Sequence, residues 1–479
     1  MILAIDIGTS NFKAALFDFS GGRRAFASEP LEIRMTGGRH EADPRRWLAA
    51  FEACCARLDS QAGPLANVEA LSLSGNGPTL VPAGKNAEGA FDRADAAALG
   101  PARLWLDRRA GKEAGAVSAA AGAFVDGGFF LPKALHIKNR EPELYEKTGF
   151  FFYCPEFLAW VLTGEARTVF PSEGFERWYW TAETLDRLGL DPLLFPPFIS
   201  PGETIGTLLP SVAGRFGFRK AVPVIAGGPD FFTAILGSGA VRPGMVCDRS
   251  GTSEGINLCT EKRIADRRLM SYGHPVKPYW NLSGIISTTG KAIDWARTLL
   301  GFDDYDDFYA AASGAEAGAD GVIFLPYLEG ERAPLWDPEA RGVFFGMNGS
   351  TTRSCLARAV AEGICFAVRD VISVMEEAGA AAPSLRVTGG TSRSPVLNHI
   401  KADVTGKDVI SIEGNAELAG LAALALAALG KYGSPGEAAS ALAKSGTVFH
   451  PNEKKARLYE KTFDRYRSLY RSLREEFKA

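Results

Sequence analysis

The sequence predicts an α/β protein of at least two domains, on three observations. Short apolar runs with strand character alternate along the chain with longer segments of helical periodicity. The chain has 479 residues, more than a single hydrophobic core usually holds, and 46% of them are hydrophobic. The pattern that opens the chain, a strand, a glycine and hydroxyl turn, and a second strand, recurs past its middle. We therefore expect one domain at residues 1–241 and another at 242–479.

Composition indicates a protein that handles small molecules. Lys and Arg number 53 against 56 Asp and Glu, and this net charge of -3 favours neither a nucleic acid nor a membrane surface as partner. The 7 cysteines are odd in number and form no CxxC pair, which is typical of reduced thiols in the cytoplasm. The 5 histidines form no zinc-ligand pair. The N-terminal run is too short for a signal peptide, and the apolar run 418–429 is too short to cross a bilayer, so it predicts a buried helix.

The first half begins with strands at residues 3–7 and 12–17, separated by a tight turn. Helical periodicity spans 44–58, and the apolar run 68–73 predicts a central strand. A further strand at 222–226 leads into the sequence Gly-Gly-Pro-Asp and then into a helix at 231–236. Asp230 therefore stands where a strand meets a helix. That position suits a general base above a cleft, and it equally suits a helix N-cap.

The second half repeats this order. A strand leads into a Gly-Thr-Ser turn at residues 251–253, and another strand follows at 254–258. A helix is expected after Gly290, a long helix at 352–377, and a strand at 385–388 that ends in a double-glycine turn. The residues from 454 onward predict a charged, exposed terminal helix.

Two turns have the composition of phosphate sites. Residues 6–10 read Asp-Ile-Gly-Thr-Ser, and residues 250–253 read Ser-Gly-Thr-Ser. Glycine lets the backbone approach an anion, amides and hydroxyls donate hydrogen bonds to it, and a carboxylate can hold the metal that screens its charge. Two such turns in separate halves predict one nucleotide held by both. Alone, the Gly-Thr-Ser turn could be an ordinary hairpin, and Asp6 could be a turn aspartate that only holds local amides.

A set of motifs runs along nearly the whole chain. They are the turn at 6–10, residues 41–44 with Trp47, and the segments 105–109, 227–230, 250–253, 325–334, 389–394 and 402–406. In this order they resemble the motifs of the FGGY family of carbohydrate kinases, which includes xylulokinase, glycerol kinase and gluconokinase, and the resemblance is greatest to the xylulokinase branch. It implies the actin-like ATPase fold, related to ribonuclease H, with the active site in the interdomain cleft. It further implies ATP and Mg²⁺ as cofactors, with sugar and base in the N-terminal domain and ATP in the C-terminal one.

The resemblance also assigns roles to individual residues. Asp230 becomes the catalytic base, and Asp6 the residue that organises Mg²⁺. The residues implied to contact the nucleotide are Thr9, Ser10, Lys13, Gly251, Thr252, Ser253, Gly290, Asp294, Gly389, Gly390 and Ser394. The residues implied to contact the sugar are Asn76, Gly77, Trp105, Asp107, Arg109 and Phe231. From the residues alone, Asp107 and Arg109 could equally form a structural ion pair.

Three departures from the family pattern fall in the acceptor region. Residues 76–78 read Asn-Gly-Pro where xylulokinases have Gln-Met-His, and Phe231 stands where relatives carry Asn or Gln. His136 replaces the usual tryptophan three residues after Lys133. We expect phosphorylation of a small sugar or polyol, with a ketopentose such as xylulose as the first candidate. The alternatives are a degenerate kinase that acts as a sugar sensor, and an actin-like or Hsp70-like ATPase without a sugar acceptor. The resemblance also leaves a homodimer as an alternative to a monomer, because many relatives are dimers.

Overall fold

The computed structural model describes residues 1–92 and 97–478 of the chain. All seven cysteines are free, as expected for reduced thiols. In chain order the strands are Ile2–Ile7 (β1), Asn11–Phe17 (β2), Arg23–Pro30 (β3), Arg34–Thr36 (β4), Arg39–Ala42 (β5), Ala70–Gly75 (β6), Val81–Ala83 (β7), Ala102–Arg103 (β8), Phe150–Phe152 (β9), Thr168–Val169 (β10), Phe198–Ile199 (β11), Thr204–Thr207 (β12), Pro223–Pro229 (β13), Val246–Ser250 (β14), Glu254–Thr260 (β15), Met270–Gly273 (β16), Trp280–Ile286 (β17), Ile323–Leu325 (β18), Val343–Phe345 (β19), Ser384–Gly389 (β20), Asp408–Ile412 (β21) and Ser445–Phe449 (β22).

Helices alternate with these strands, as the periodicity predicts. In chain order they are Pro44–Ala62 (α1), Gly111–Ala121 (α2), Phe130–Arg140 (α3), Pro142–Lys147 (α4), Cys154–Thr163 (α5), Ala182–Arg187 (α6), Pro210–Phe216 (α7), Asp230–Gly237 (α8), Gly290–Leu299 (α9), Tyr305–Gly314 (α10), Arg353–Glu377 (α11), Pro395–Thr405 (α12), Ala416–Ala428 (α13), Pro435–Leu442 (α14) and Glu453–Leu473 (α15).

The main sheet of the first half has the order β12-β13-β6-β1-β2-β3. Strands β13, β6 and β1 run parallel, while β12, β2 and β3 are antiparallel to their neighbours. Every residue of β1 and β6 is buried, as is usual for parallel strands with both faces covered. Helix α1 packs against β2 and β3, and α5 packs against β6.

The main sheet of the second half has the order β16-β17-β15-β14-β20-β21-β22. Strands β14, β20 and β21 run parallel, and the strands outside them are antiparallel to their neighbours. Apart from the extra strand β16, the pairing sequence is that of the first sheet. The repeat seen in the amino-acid sequence therefore corresponds to two sheets with the same pattern of parallel and antiparallel pairs, although the edge strand β12 precedes its neighbour in the chain and β22 follows its neighbour.

The chain forms two compact units with a more complex boundary than the sequence suggests. One unit comprises residues 1–237 and 417–442, and the other comprises residues 238–416 and 443–479. Helix α13 explains the difference, because it is the buried helix predicted from the apolar run and it packs on the first unit. Gly420 lies so close to α8 that an added Cβ would stand 1.9 Å from the carbonyl oxygen of Thr233.

The terminal helix α15 is present, but it is not exposed all round. Tyr459, Phe463, Tyr466 and Tyr470 form a buried face on it. The hydroxyl of Tyr466 lies 2.6 Å from that of Tyr327, and the hydroxyl of Tyr470 donates to Asp337. The many charged residues of this segment indicated an exposed helix. Its aromatic residues recur every three or four positions, which is the spacing of one helical face, and this face is buried. Among the described residues, no helix is both long and apolar enough to span a membrane.

Candidate active site

The first unit gathers its candidate site residues at one edge of its sheet. Strands β1, β6 and β13 are parallel neighbours, with Asp6 paired to Ser74 and Pro229 paired to Gly75. The carboxyl ends of parallel strands meet at the same edge, which is where open α/β sheets bind ligands. Asp6, Asn76 and Asp230 therefore leave their strands at neighbouring positions.

Asp6 is a buried carboxylate that is influenced by one lysine and two other carboxylates. Its Oδ1 accepts a hydrogen bond of 2.9 Å from Ser74, and its Oδ2 lies 3.5 Å from Nζ of Lys13. The pKa of Asp6 is raised to about 6, because burial raises it most, Lys13 opposes this increase, and the carboxylates of Glu417 and Asp230 add to it. Sequence analysis did not assign Glu417 to the site, because a glutamate in the first turn of an apolar helix usually serves only the helix dipole.

This excess of negative charge fits a divalent cation. In the described part of the chain, no three His, Cys, Asp or Glu side chains are grouped to bind a metal by themselves. Mg²⁺ commonly takes one or two protein carboxylates and completes its shell with water and substrate phosphates. A single carboxylate such as that of Asp6, with further carboxylates close by, suits that mode of binding.

The turn after Asp6 is tied to a distant segment of the first unit. The amide of Gly8 donates to the carbonyl of Asn11 at 3.0 Å and closes the turn. The indole of Trp105 donates to Oγ1 of Thr9 at 3.1 Å. Ser10 is exposed, and Lys13 follows on β2. The contact between Thr9 and Trp105 joins a residue of the predicted phosphate turn to one of the predicted sugar segment.

Asp230 is the first residue of α8 and is half-buried. Its Oδ1 accepts a hydrogen bond of 2.6 Å from the amide of Phe231, and its carbonyl accepts one from the hydroxyl of Thr233. The contact with Phe231 resembles the capping interaction that the sequence left open, while the negative charge of Asp230 contributes to the raised pKa of Asp6. The role of Asp230 as a base stays a prediction.

Four of the predicted sugar residues form two groups. Asn76 is buried, its Nδ2 donates to the carbonyl of Ile7 at 3.0 Å, and its Oδ1 accepts from Thr79 at 2.5 Å. Its side chain therefore fixes the segment that also contains Gly77. Asp107 and Arg109 pair with each other at 2.6 Å, and Arg109 also reaches Glu41 at 2.5 Å.

These contacts are those of a structural ion pair, which was one of the two alternatives that the sequence left open for Asp107 and Arg109. Arg109 lines a cavity of about 710 Å³ whose lining residues include neither Asp6 nor Asp230: Arg39, Glu41, Pro101, Arg109, Lys112, Glu113, His136, Arg140 and Glu141. A contact of Asp107 or Arg109 with the sugar stays a prediction.

An aromatic wall adjoins Asp230. Phe231 stacks on Phe175 with ring centroids 5.9 Å apart, and Phe175 packs against Trp178 at 5.1 Å. All three side chains are half-buried. Sequence analysis noted Phe231 as a departure from the family, but it could not find Phe175, which belongs to a distant loop.

In the second unit, three turns are joined through their backbones. Strands β14 and β20 pair Ser250 with Gly389, and the amide of Gly390 donates to the carbonyl of Ser250 at 2.8 Å. Gly389 has a φ of 97°, and an added Cβ would stand 2.0 Å from the Ser250 oxygen, so only glycine fits there.

The third turn joins this pair at the start of α9. The amide of Gly290 donates to the carbonyl of Gly251 at 2.9 Å, and that of Thr289 donates to the carbonyl of Thr252 at 3.1 Å. The Gly-Thr-Ser turn, which also contains Ser253, the N-terminus of α9 and the Gly389 turn thus form one cluster of glycines and hydroxyls, the composition of an anion site.

Two other predicted nucleotide residues have structural partners. Ser394 caps α12, since its Oγ accepts from the amide of Leu397 at 3.3 Å. Asp294 accepts hydrogen bonds from Arg297 and from the hydroxyl of Tyr305. Their contacts with a nucleotide stay predictions.

A buried ion cluster supports these turns and was missed by sequence analysis. Nζ of Lys401 on α12 lies 2.5 Å from Oδ2 of Asp248 and 2.5 Å from Oε1 of Glu254. Asp248 precedes the Gly-Thr-Ser turn and Glu254 follows it. Burial alone would lower the pKa of Lys401, but the two carboxylates raise it well above its usual range. Lys401 lies about 150 residues from the two carboxylates in the sequence, so no local pattern could indicate that they meet.

Comparison with known proteins agrees with this architecture. The models of the FGGY family of carbohydrate kinases match residues 1–237 for the N-terminal domain and 249–429 for the C-terminal domain. The xylulose kinase of Escherichia coli (strain K12) is 30% identical over 450 residues, which cover 88% of this chain and 90% of that relative. The xylulose kinase of Bacillus subtilis (strain 168) is 28% identical over 490 residues, covering 98% and 96%.

A gluconate kinase from Lactobacillus acidophilus has a similar solved structure, with a TM-score of 0.85 and 25% identity over 98% of each chain. This likeness confirms the two-domain actin-like fold, related to ribonuclease H, that the resemblance implied. The matches to both domain models show that the chain belongs to the FGGY family of carbohydrate kinases. The protein is therefore a phosphotransferase that acts on a small sugar.

Proposed function

We propose that this protein transfers the γ-phosphoryl group of ATP to a hydroxyl of a small sugar or polyol, with a ketopentose such as xylulose as the first acceptor to test. The observation that carries the proposal is that Asp6 and Asp230 lie at the carboxyl ends of β1 and β13, two strands that both pair in parallel with β6. Xylulose kinases among the relatives support a ketopentose. The gluconokinase of Bacillus subtilis (strain 168) is 26% identical over 99% of this chain, so a hexonate is a second acceptor to test.

In this mechanism Asp230 accepts the proton of the attacking hydroxyl. As the new bond forms between that oxygen and the γ-phosphorus, the bond from phosphorus to the β,γ-bridging oxygen breaks, and ADP leaves. The proton remains on the Asp230 carboxylate until water removes it. Asp230 also aligns the hydroxyl for attack, which lowers the barrier in addition to the proton transfer.

The other predicted residues would bind and screen the phosphates. Asp6 would hold Mg²⁺ through water, and when bound that ion neutralises charge on the β- and γ-phosphates. Thr9, Ser10 and Lys13 would donate to the phosphates from the first unit. In the second unit, the Gly251 turn would take phosphate oxygens, and the Gly290 and Gly389 turns would border the nucleoside.

The test is ADP release in the presence of ATP and Mg²⁺, measured across ketopentoses, aldoses, hexonates, glycerol and other polyols. Asp230→Ala is expected to lower kcat by about 10²- to 10⁴-fold with the KM for ATP nearly unchanged. Asp304→Ala is the matched control, because Asp304 caps α10 through the amide of Asp307. If Asp230 serves only as a cap, both variants lose stability and keep full activity.

Two outcomes of the same assay would favour the alternatives. Sugar binding without phosphoryl transfer would indicate a degenerate kinase that acts as a sensor, which the altered residues 76–78 and Phe231 make worth testing. ATP turnover that no sugar stimulates would indicate an actin-like or Hsp70-like ATPase.

A further inference from the structure

The residue that follows the proposed base belongs to a continuous aromatic surface. Phe231 stacks on Phe175 at an interplanar angle of 30°, with 5.9 Å between the ring centroids. Trp178 continues this surface from Phe175 at 5.1 Å. We call these three residues the aromatic wall. Each of them is half-buried, so each keeps part of its surface accessible to a small molecule.

The loop that carries two of the three residues is anchored beside β13, the strand that leads into Asp230. Phe175 and Trp178 lie between β10 and α6, and β10 packs against β13. The methyl Cγ1 of Val169 lies 3.5 Å from where a Cβ of Gly228 would stand. Glu156 accepts a hydrogen bond of 3.1 Å from the amide of Val169 and holds this strand in place.

Aromatic packing fixes the loop from its other side. Phe170 packs edge-on against Tyr179 at 5.2 Å and against Phe198 at 5.5 Å. Tyr179 in turn contacts Trp180 at 5.9 Å. Phe175 and Trp178 pack against the larger buried cluster that contains Tyr179 and Trp180. These ring contacts, together with the packing of β10 on β13, fix the position of the aromatic wall.

A phenyl ring imposes a definite requirement on what lies against it. It offers no hydrogen bond to a hydroxyl, so a hydroxyl pressed onto it loses its water without compensation. A C–H face or a methyl group, by contrast, gains from leaving water there. An Asn or Gln at position 231 would favour the opposite chemistry, because its amide can bond a hydroxyl.

We infer that the acceptor presents a C–H or methyl face, rather than a hydroxyl, to the aromatic wall beside the hydroxyl that reacts. Of two acceptors that differ by one hydroxyl at this face, the one without the hydroxyl should therefore be preferred, which favours a deoxy sugar, a deoxy ketose or a terminally methylated polyol over its hydroxylated counterpart. This inference rests on the proposed function, because it takes Asp230 as the group that meets the reacting hydroxyl.

The test uses pairs of acceptors that differ by one hydroxyl: glycerol and propane-1,2-diol, D-xylulose and 1-deoxy-D-xylulose, L-galactose and L-fucose. In at least one pair, the deoxy member is expected to have the higher kcat/KM, by about 10- to 100-fold. Higher kcat/KM for the hydroxylated member in every pair overturns the inference.

Variants then locate the preference. Phe231→Asn is expected to shift the kcat/KM ratio of the pair by about 10-fold or more toward the hydroxylated member. Phe231→Leu keeps an apolar side chain and is expected to retain the deoxy preference. Phe91→Asn is the matched control, because Phe91 is a half-buried phenylalanine of the same unit that packs on Phe216 at 5.0 Å. An unchanged ratio in Phe231→Asn, with activity retained, also contradicts the inference.

A second readout separates this inference from the proposed function. If no acceptor is phosphorylated, the proposed function fails, but binding can still be measured by calorimetry for the same pairs in the presence of β,γ-methylene ATP. Tighter binding of a deoxy member, weakened in Phe231→Asn, supports the aromatic wall as the determinant. Equal or tighter binding of every hydroxylated member overturns it.

Discussion

At the scale of single residues, Asp6 is a carboxylate whose burial opposes stability. It is 2% exposed, and burial raises its pKa from 3.8 to about 6. The folded state therefore binds its proton more tightly than the unfolded state does. Its effect on the free energy of unfolding is unfavourable once the pH rises above 3.8, and it grows until the pH passes about 6.

Asp6→Asn is accordingly expected to raise the free energy of unfolding at pH 7.5 by roughly 1–3 kcal/mol and to abolish phosphoryl transfer. The gain should shrink as the pH is lowered from 6 to 4, since the wild-type carboxyl then becomes neutral as well. Urea denaturation at pH 4.5, 6 and 7.5 measures both effects.

Asp18→Asn provides a comparison of opposite sign. Burial raises the pKa of Asp18, but hydrogen bonds from Ser20, Gly22 and Arg24 outweigh it and lower that pKa overall. The substitution should therefore reduce stability at pH 7.5. A loss of stability in Asp6→Asn at this pH would show that Asp6 is held mainly by favourable contacts, contrary to our account.

At the scale of elements, the Lys401 cluster joins β14, β15 and α12 beneath the proposed nucleotide turns. A buried ion pair adds little stability as a whole, because the desolvation of its charges offsets their attraction. Removal of one partner is different, since it leaves charges buried without compensation. The position of the Gly-Thr-Ser turn depends on this balance.

Lys401→Met is expected to lower the free energy of unfolding by about 3–5 kcal/mol, measured by urea denaturation. Lys291→Met is the control, because the pair of Lys291 with Glu329 is exposed and should contribute less than about 1 kcal/mol. Adding Asp248→Asn and Glu254→Gln to Lys401→Met should recover part of the loss. Equal effects of Lys401→Met and Lys291→Met would contradict this prediction.

At the scale of the whole molecule, the first unit is built from two separate stretches of chain. Residues 417–442 return to it, with Leu421 of α13 packed at Gly227 and Leu442 of α14 packed at Gly21. A fragment of residues 1–237 would leave the surfaces that cover these leucines open to water. Its hydrophobic core is therefore incomplete.

Residues 1–237 alone are expected to unfold at a much lower urea concentration than the same residues joined by a Gly-Ser linker to residues 417–442. The control is the linked form with Gly420→Val, whose Cβ cannot fit against Thr233. Equal urea midpoints for the short fragment and the linked form would show that α13 and α14 are not part of the folding unit.

The amino-acid sequence determined the local structure and the kind of chemistry. Apolar periodicity predicted β1, β6, β13, β20 and α11, because a strand or helix with buried faces must repeat its apolar residues at the period of that element. Glycine and hydroxyl turns were visible for the same reason: a backbone that bends tightly or approaches an anion restricts which residues fit. The order of these motifs sufficed for the family.

Only the tertiary structure decided which distant residues meet. The stack of Phe231 on Phe175, the Lys401 cluster, the contact of Trp105 with Thr9 and the return of residues 417–442 to the first unit all join segments far apart in the chain. A local pattern shows whether a side chain is to be buried, but not its partner. The partner depends on packing summed over the whole unit, and that packing brings Phe175 and Trp178 together with Phe231.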